Sequence, residues 1–368
     1  MKDVITSRQG MSMIIIFMAD AIVLGTAKEA KSDIWIAILL GLAIVIMLAT
    51  LYSWILSAYP GKNLYDILTT VFGKWVGSVL GVLYLVYALY VGALVLVTMS
   101  CFVCTVGLVY TPNIIIAALI TVLIIGSLKK GIEVMGRWSE FFTRIIIPIS
   151  IVTIIFMFPM VEANNLQPVL ANGWQPILEG AYGVVAFPFA EIVVFMLIFS
   201  TKSVRHLKNI YYIFIGGLLL GGLFVFLAHV VAFNELGQFS YTRSYFPIYA
   251  AISRISIHDV LQRIEIIVAV GFIIGGFMKV ALYVLAGCEG IRKVMNLKDY
   301  RFVVTPISIL VLIVGITTFD DMMDVVNHVP YYNVLAIFMQ VILPIIITLA
   351  ILIHQKLQKH HSKNKMIG

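Results

Sequence analysis

Charge is scarce in this chain. Asp, Glu, Lys and Arg make up 12% of its 368 residues, about half the share found in a soluble domain, whereas hydrophobic residues make up 61%. No soluble fold of this length could hide so much apolar surface. Catalytic motifs are missing as well. There is no H-E-x-x-H, no phosphate-binding Gly-Lys-Ser loop, no dinucleotide fingerprint after a strand and no nucleophile beside a positioned base, so neither an enzyme nor a cofactor is expected. The few cysteines add nothing to this. Cys101 and Cys104 stand one helical turn apart in an apolar run with no second Cys or His pair, so they read as packing residues rather than metal ligands. Low-complexity linkers are absent too, and residues 1–368 read as a single transmembrane domain.

What the chain does have is about ten long apolar runs, near 10–27, 34–57, 75–106, 113–128, 144–160, 181–200, 209–233, 262–288, 303–319 and 332–354. A spanning helix needs roughly 20 such residues. The runs are continuously apolar rather than alternating, which predicts helices and not a barrel: an all-α polytopic bundle in a lipid bilayer. Net charge is +7, but its placement argues against a nucleic acid partner. With the N-terminus in the cytoplasm, 19 of the 25 Lys and Arg fall on the cytoplasmic side. The positive-inside rule then predicts both termini there.

Two of the runs are broken by polar residues or proline. Run one carries Ala19-Asp20-Ala21 and then Gly25-Thr26; run six carries Gly183 and Phe187-Pro188-Phe189-Ala190-Glu191. Pro188 removes a backbone donor, and unwound backbone at membrane depth is tolerable only where it lines a protein cavity. The two breaks take equivalent places in a division into about 10–160 and about 181–354. That predicts a 5+5 inverted repeat with a small-molecule site at the broken helices.

Ionisable groups inside a bilayer cost about 2.5 kcal/mol or more and face a partner or a wet cavity. Asp20, Glu191, Glu265 and Lys279 qualify. Lys279 is the most central, and Glu191 or Asp20 is its expected partner. Glu265 and Lys279 share one face but stand about 21 Å apart along a helix, too far to pair. Phe272, Gly275 and Gly276 lie on or beside that face, where a groove or close helix contact fits. The pocket is expected between runs one, six, three and eight. Asp20, Ala21, Phe187, Pro188 and Phe272 are its ligand-contact candidates, and Glu191, Lys279 and Glu265 its coupling or ion-pair candidates. His229, deep in run seven, reads as a hydrogen-bonded core residue.

Outside the runs, segments 161–180 and 234–261 carry Trp174, Tyr241, Tyr245, Phe246 and Tyr249 as interfacial anchors or a lid. Lys129 to Arg144 predicts an interfacial helix with Glu140 paired to Arg137 and Arg144, and Arg292 to Arg301 reads the same way. The tail from Gln355 is basic and expected to be disordered.

These fragments in their order resemble a known family. Ser7-Arg8-Gln9, Tyr59-Pro60-Gly61-Lys62-Asn63-Leu64, Phe72-Gly73-Lys74-Trp75, Gly131-Ile132-Glu133 and Arg137-Trp138-Ser139-Glu140 are followed by Phe187-Pro188-Phe189-Ala190-Glu191, Tyr245-Phe246-Pro247, Gln262-Arg263-Ile264-Glu265 and Lys298-Asp299-Tyr300-Arg301 with Pro306. Over nearly its whole length the chain resembles the B subunits of bacterial spore germinant receptors, the spore-permease branch of the amino acid, polyamine and organocation transporter superfamily. The resemblance implies a LeuT-like fold, residence in the spore inner membrane, germinant receptor A and C subunits as partners, and a nutrient ligand such as an amino acid, nucleoside, sugar or amine. A proton-coupled amino acid or amine permease is the alternative, and an ion or water channel a further one. Ala19-Asp20-Ala21 departs from the Gly-rich, Pro-containing break usual in that family. An Asp there favours an amine, a cation or a neutral polyol over a carboxylate.

Overall fold

The computed structural model describes residues 5–157, 163–200, 208–254 and 264–367, and among them every long element is a helix. The first is short: α1 covers Ser7–Met18, starting at a capping box in which Thr6 and Gln9 bond each other's backbone. It gives way to a 3-10 turn over Ala19–Ile22 and then to non-helical backbone. The others are α2 (Lys28–Ala58), α3 (Leu64–Val106), α4 (Asn113–Lys130), α5 (Ile132–Met157), α6 (Gln175–Ile198), α7 (Asn209–Arg243), α8 (Glu265–Val294), α9 (Arg301–Thr318) and α10 (Met322–Leu357). Among the described residues these nine are long and apolar enough to cross a membrane. The ten runs of the sequence thus appear as nine long helices and one that breaks after twelve residues. The chain is a multi-pass membrane protein.

Helix α8 packs along the length of α3, and α1 is wrapped by α5, α7 and α8. Gly275 makes one of these approaches possible: a Cβ there would lie 2.7 Å from the backbone nitrogen of Asp20 and 2.9 Å from the Ala19 Cβ. The close helix contact expected beside Phe272 is therefore between α8 and the break in run one. Outward faces of the bundle are apolar, as lipid requires, with Val122, Leu123, Ile155 and Ile353 all more than 60% exposed.

Three local expectations are corrected. The segment from Ile132 is not a separate interfacial helix but the first turns of α5. Its Arg137 pairs with Glu133 rather than Glu140, while Arg144 pairs with Glu140 as expected. Both pairs place the glutamate four residues before the arginine, the better of the two orders on a helix. Nor is the tail beyond Gln355 disordered: the last helix continues from Leu343 to Ile367, with no Pro or Gly between Pro344 and Ile367 to stop it. Finally, 234–261 is not simply a loop. Helix α7 runs to Arg243, a short helix covers Pro247–Ile252, and residues 255–263, including Gln262 and Arg263, lie outside the described residues.

Candidate functional site

Both interrupted runs are broken in the structure, and their breaks face each other. In α6 the helical hydrogen-bond pattern widens over Val185–Phe189, where Phe187 adopts an extended conformation (φ −144°, ψ 123°) before Pro188, and then tightens to a 3-10 turn over Ala190–Val193. The residue before a proline is pushed out of the helical region, so the break falls where the sequence places it. Run one has no proline, and its turn at Ala19–Ile22 continues into Val23–Ala27, ending at Ala27 in the left-handed region (φ 50°).

Between the breaks lies a buried ion cluster. The Lys279 ammonium donates to Asp20 Oδ2 at 2.9 Å and Oδ1 at 3.1 Å, and it also contacts Glu191 Oε2. The rings of Phe187 and Phe17 lie 4.5 and 4.8 Å from the same nitrogen. Lys279 and Glu191 are fully buried and Asp20 is 1% exposed. Two carboxylates and two aromatic faces thus surround one ammonium, a geometry that offsets the cost of taking the charges out of water. Both of the partners expected for Lys279 are engaged at once.

A cavity of about 300 Å³ opens above this cluster. Asp20, Phe187, Glu191 and Phe272 line it, together with Leu94, Val95 and Thr98 of α3. The four elements named from the sequence therefore all contribute. A fifth wall was not foreseen: Met322 to Asn333, the first turns of α10. Tyr245, among the aromatics read as anchors or a lid, lines the cavity too, whereas Trp174 does not and is 59% exposed. Ala21 and Pro188 are buried but are not cavity-lining residues. Glu265 stands in the first turn of α8, fourteen residues before Lys279, and takes no part in the cluster.

The carbonyls freed by the breaks are claimed by hydroxyls and an imidazole. On the α7 side, His229 Nε2 lies 3.0 Å from the Ala21 carbonyl, its Nδ1 lies 2.7 Å from the Tyr241 hydroxyl, and that hydroxyl is 3.1 Å from the Thr26 carbonyl. His229 is thus the hydrogen-bonded core residue that the sequence suggests. On the α10 side, the Tyr332 hydroxyl lies 2.6 Å from Glu191 Oε1 and 3.2 Å from the Ala186 carbonyl. Sequence reasoning missed Tyr332. Pro330, inside the helix two residues before it and also at the cavity, was the available clue. A widened turn at Phe338–Ile342 of α10 continues the polar chain. Its Met339 carbonyl accepts from Tyr84 at 3.0 Å and its Gln340 carbonyl from Tyr52, while the Gln340 amide donates to the Tyr87 hydroxyl at 2.6 Å.

Comparison with known proteins agrees with this architecture. Residues 4–322 match the model of a family described as spore germination protein. The chain is 31% identical over 336 residues to spore germination protein KB of Bacillus subtilis (strain 168), covering 89% of this chain and 90% of that protein. It is 24% identical to spore germination protein A2 of the same organism, over 84% of this chain and 82% of the relative. Among solved structures it resembles Mhp1, a nucleobase-cation-symport-1 family transporter in a closed conformation with bromovinylhydantoin bound. The TM-score is 0.66 at 12% identity, with 91% of this chain and 76% of that one covered. At that identity the likeness is one of fold, the LeuT-like bundle.

Proposed function

Because the chain belongs to the spore germination protein family, we propose that it is the transporter-like membrane subunit of a germinant receptor and binds a small nutrient in the cavity between its two broken helices. The observation that carries this reading is the hollow of about 300 Å³ set directly on Asp20, Lys279 and Glu191. Apolar walls with a few convergent polar groups are the ordinary composition of a small-molecule site. A solute that contacts Glu191 or Tyr332 alters the same group that holds the break in α6. Binding then shifts the balance between bundle conformations, and partner A and C subunits read the change.

Asp20 needs restating in this light. Its carboxylate is held by Lys279, so it does not present a free anion to the ligand. The cluster as a whole still contains two carboxylates to one ammonium, which favours an amine or a neutral polyol, or an amino acid whose ammonium end points inward. In the orientation set by the basic residues both termini are cytoplasmic and the membrane is the spore inner membrane.

The same geometry suits a permease in which Glu191 or Lys279 carries a proton. Uptake of radiolabelled nutrient into proteoliposomes separates the two. A receptor gives saturable binding without accumulation, gradient-driven accumulation establishes transport and overturns the receptor reading, and conductance or swelling without accumulation indicates a channel.

A further inference from the structure

A second hollow, of about 370 Å³, opens on the lipid-facing side of the bundle between α4, α5 and α8. Its walls are apolar, formed by Leu123, Phe142, Ile273 and Phe277 among others, and it contains no carboxylate. Leu123 and Val122 at its mouth are 64% and 65% exposed. Gly126 also lines the hollow at an exposed position, and a Cβ added there would meet nothing within 4 Å, leaving room for a larger side chain to enter it. The Trp138 ring stands at one side, 6.1 Å from Phe142 and 6.2 Å from Phe277 between ring centroids.

One end of this hollow is cationic. Lys130 lines it, Lys129 precedes it at the end of α4, and both are exposed. Nearby Arg137 and Arg144 are neutralised by Glu133 and Glu140, but neither lysine has an ion-pair partner among the described residues. An apolar slot with one uncompensated ammonium group on its lining, Lys130, and a second, Lys129, next to it in the last turn of α4 matches one molecule in outline: a long hydrocarbon chain ending in a net negative phosphate.

We infer that this hollow is a binding site for an anionic phospholipid, with an acyl chain along Phe142, Ile273 and Phe277 and the phosphate on Lys129 and Lys130. A zwitterionic lipid carries its own cation beside the phosphate and gains less from the two lysines. The site is separate from the cavity but shares a wall with it. Met99 and Met278 line the hollow, while their neighbours Thr98 and Lys279 belong to the cavity and its ion cluster.

The test uses Trp138 as the reporter. The purified full chain in phosphatidylcholine bilayers is titrated with phosphatidylglycerol or phosphatidylcholine bearing brominated acyl chains, which quench tryptophan on contact. The contribution of Trp138 is isolated by subtracting the signal of Trp138→Phe. Saturable quenching by the anionic lipid at mole fractions about fivefold lower than for the zwitterionic one is expected. Lys129→Ala with Lys130→Ala, both at exposed positions, should bring the two curves together, and Gly126→Leu should remove the saturable excess of quenching by the anionic lipid. Superimposed curves in the wild-type chain would show bulk lipid only. No quenching by either lipid would show a hollow filled by protein. Unchanged quenching in Gly126→Leu would place the lipid elsewhere. Each of these three results overturns the assignment.

Discussion

The two broken helices solve the same problem with different chemistry. In α6 a proline forces the break, and the Ala186 carbonyl is met by Tyr332, a residue that also faces the cavity. In run one no proline is present, and the Ala21 and Thr26 carbonyls are met from α7 by His229 and Tyr241, both fully buried and away from the cavity. Freed backbone groups in lipid must find partners, so each break is only as fixed as the residue that claims its carbonyls. The run-one break is anchored to the scaffold, whereas the α6 break is anchored to a residue of the cavity wall. Under the proposed function, that asymmetry assigns the movement to α6 and the fixed reference to run one, with Lys279 joining them.

Removing the joint should have the largest effect. Lys279→Met leaves Asp20 and Glu191 buried with no counter-charge, at a cost of about 3–5 kcal/mol. Loss of the nutrient response together with a clear drop in thermal stability of the purified protein is expected. Stability equal to wild type would mean the carboxylates have another partner. Next in size is Tyr332→Phe against Tyr241→Phe. Each removes one buried hydroxyl, worth about 1–3 kcal/mol. Both should lower the melting temperature, and the first should in addition shift the nutrient dose response by about tenfold or more, with a smaller shift in the second. Equal behaviour of the two variants would remove the distinction between the breaks. The smallest effect is predicted for Glu265→Gln. Its position in the first turn of α8, outside the ion cluster, should leave the dose response at wild-type values. A loss there would restore Glu265 to the coupling path.

Much of this was legible in the sequence because lipid is a strict solvent. A proline or a carboxylate in an apolar run has few permissible explanations, so Pro188, Asp20, Glu191 and Lys279 announced a break and an ion pair before any fold was known. The charge pairing itself was read only as a choice between two partners. That Asp20 and Glu191 both reach one ammonium depends on how helices 259 and 88 residues distant along the chain rotate against α8, which no local pattern encodes. Tyr332 was hidden for a different reason. A tyrosine at the end of an apolar run resembles an interfacial anchor, and only the packing of α10 against α6 turns its hydroxyl toward Glu191. The run marked from 332 also begins ten residues late, because Asp320, Asp321 and Asp324 obscure the start of α10 at Met322, where Asp321 serves as the cap.

The most direct test of the central claim fills the cavity. Val95 of α3 is 7% exposed and lines the hollow above the ion cluster, and Val95→Trp places an indole where the nutrient is proposed to sit. Dose–response curves for nutrient-triggered germination should be flat in this variant while the protein stays in the membrane at wild-type abundance. A wild-type dose response from a chain with that cavity occupied would contradict recognition at the paired breaks.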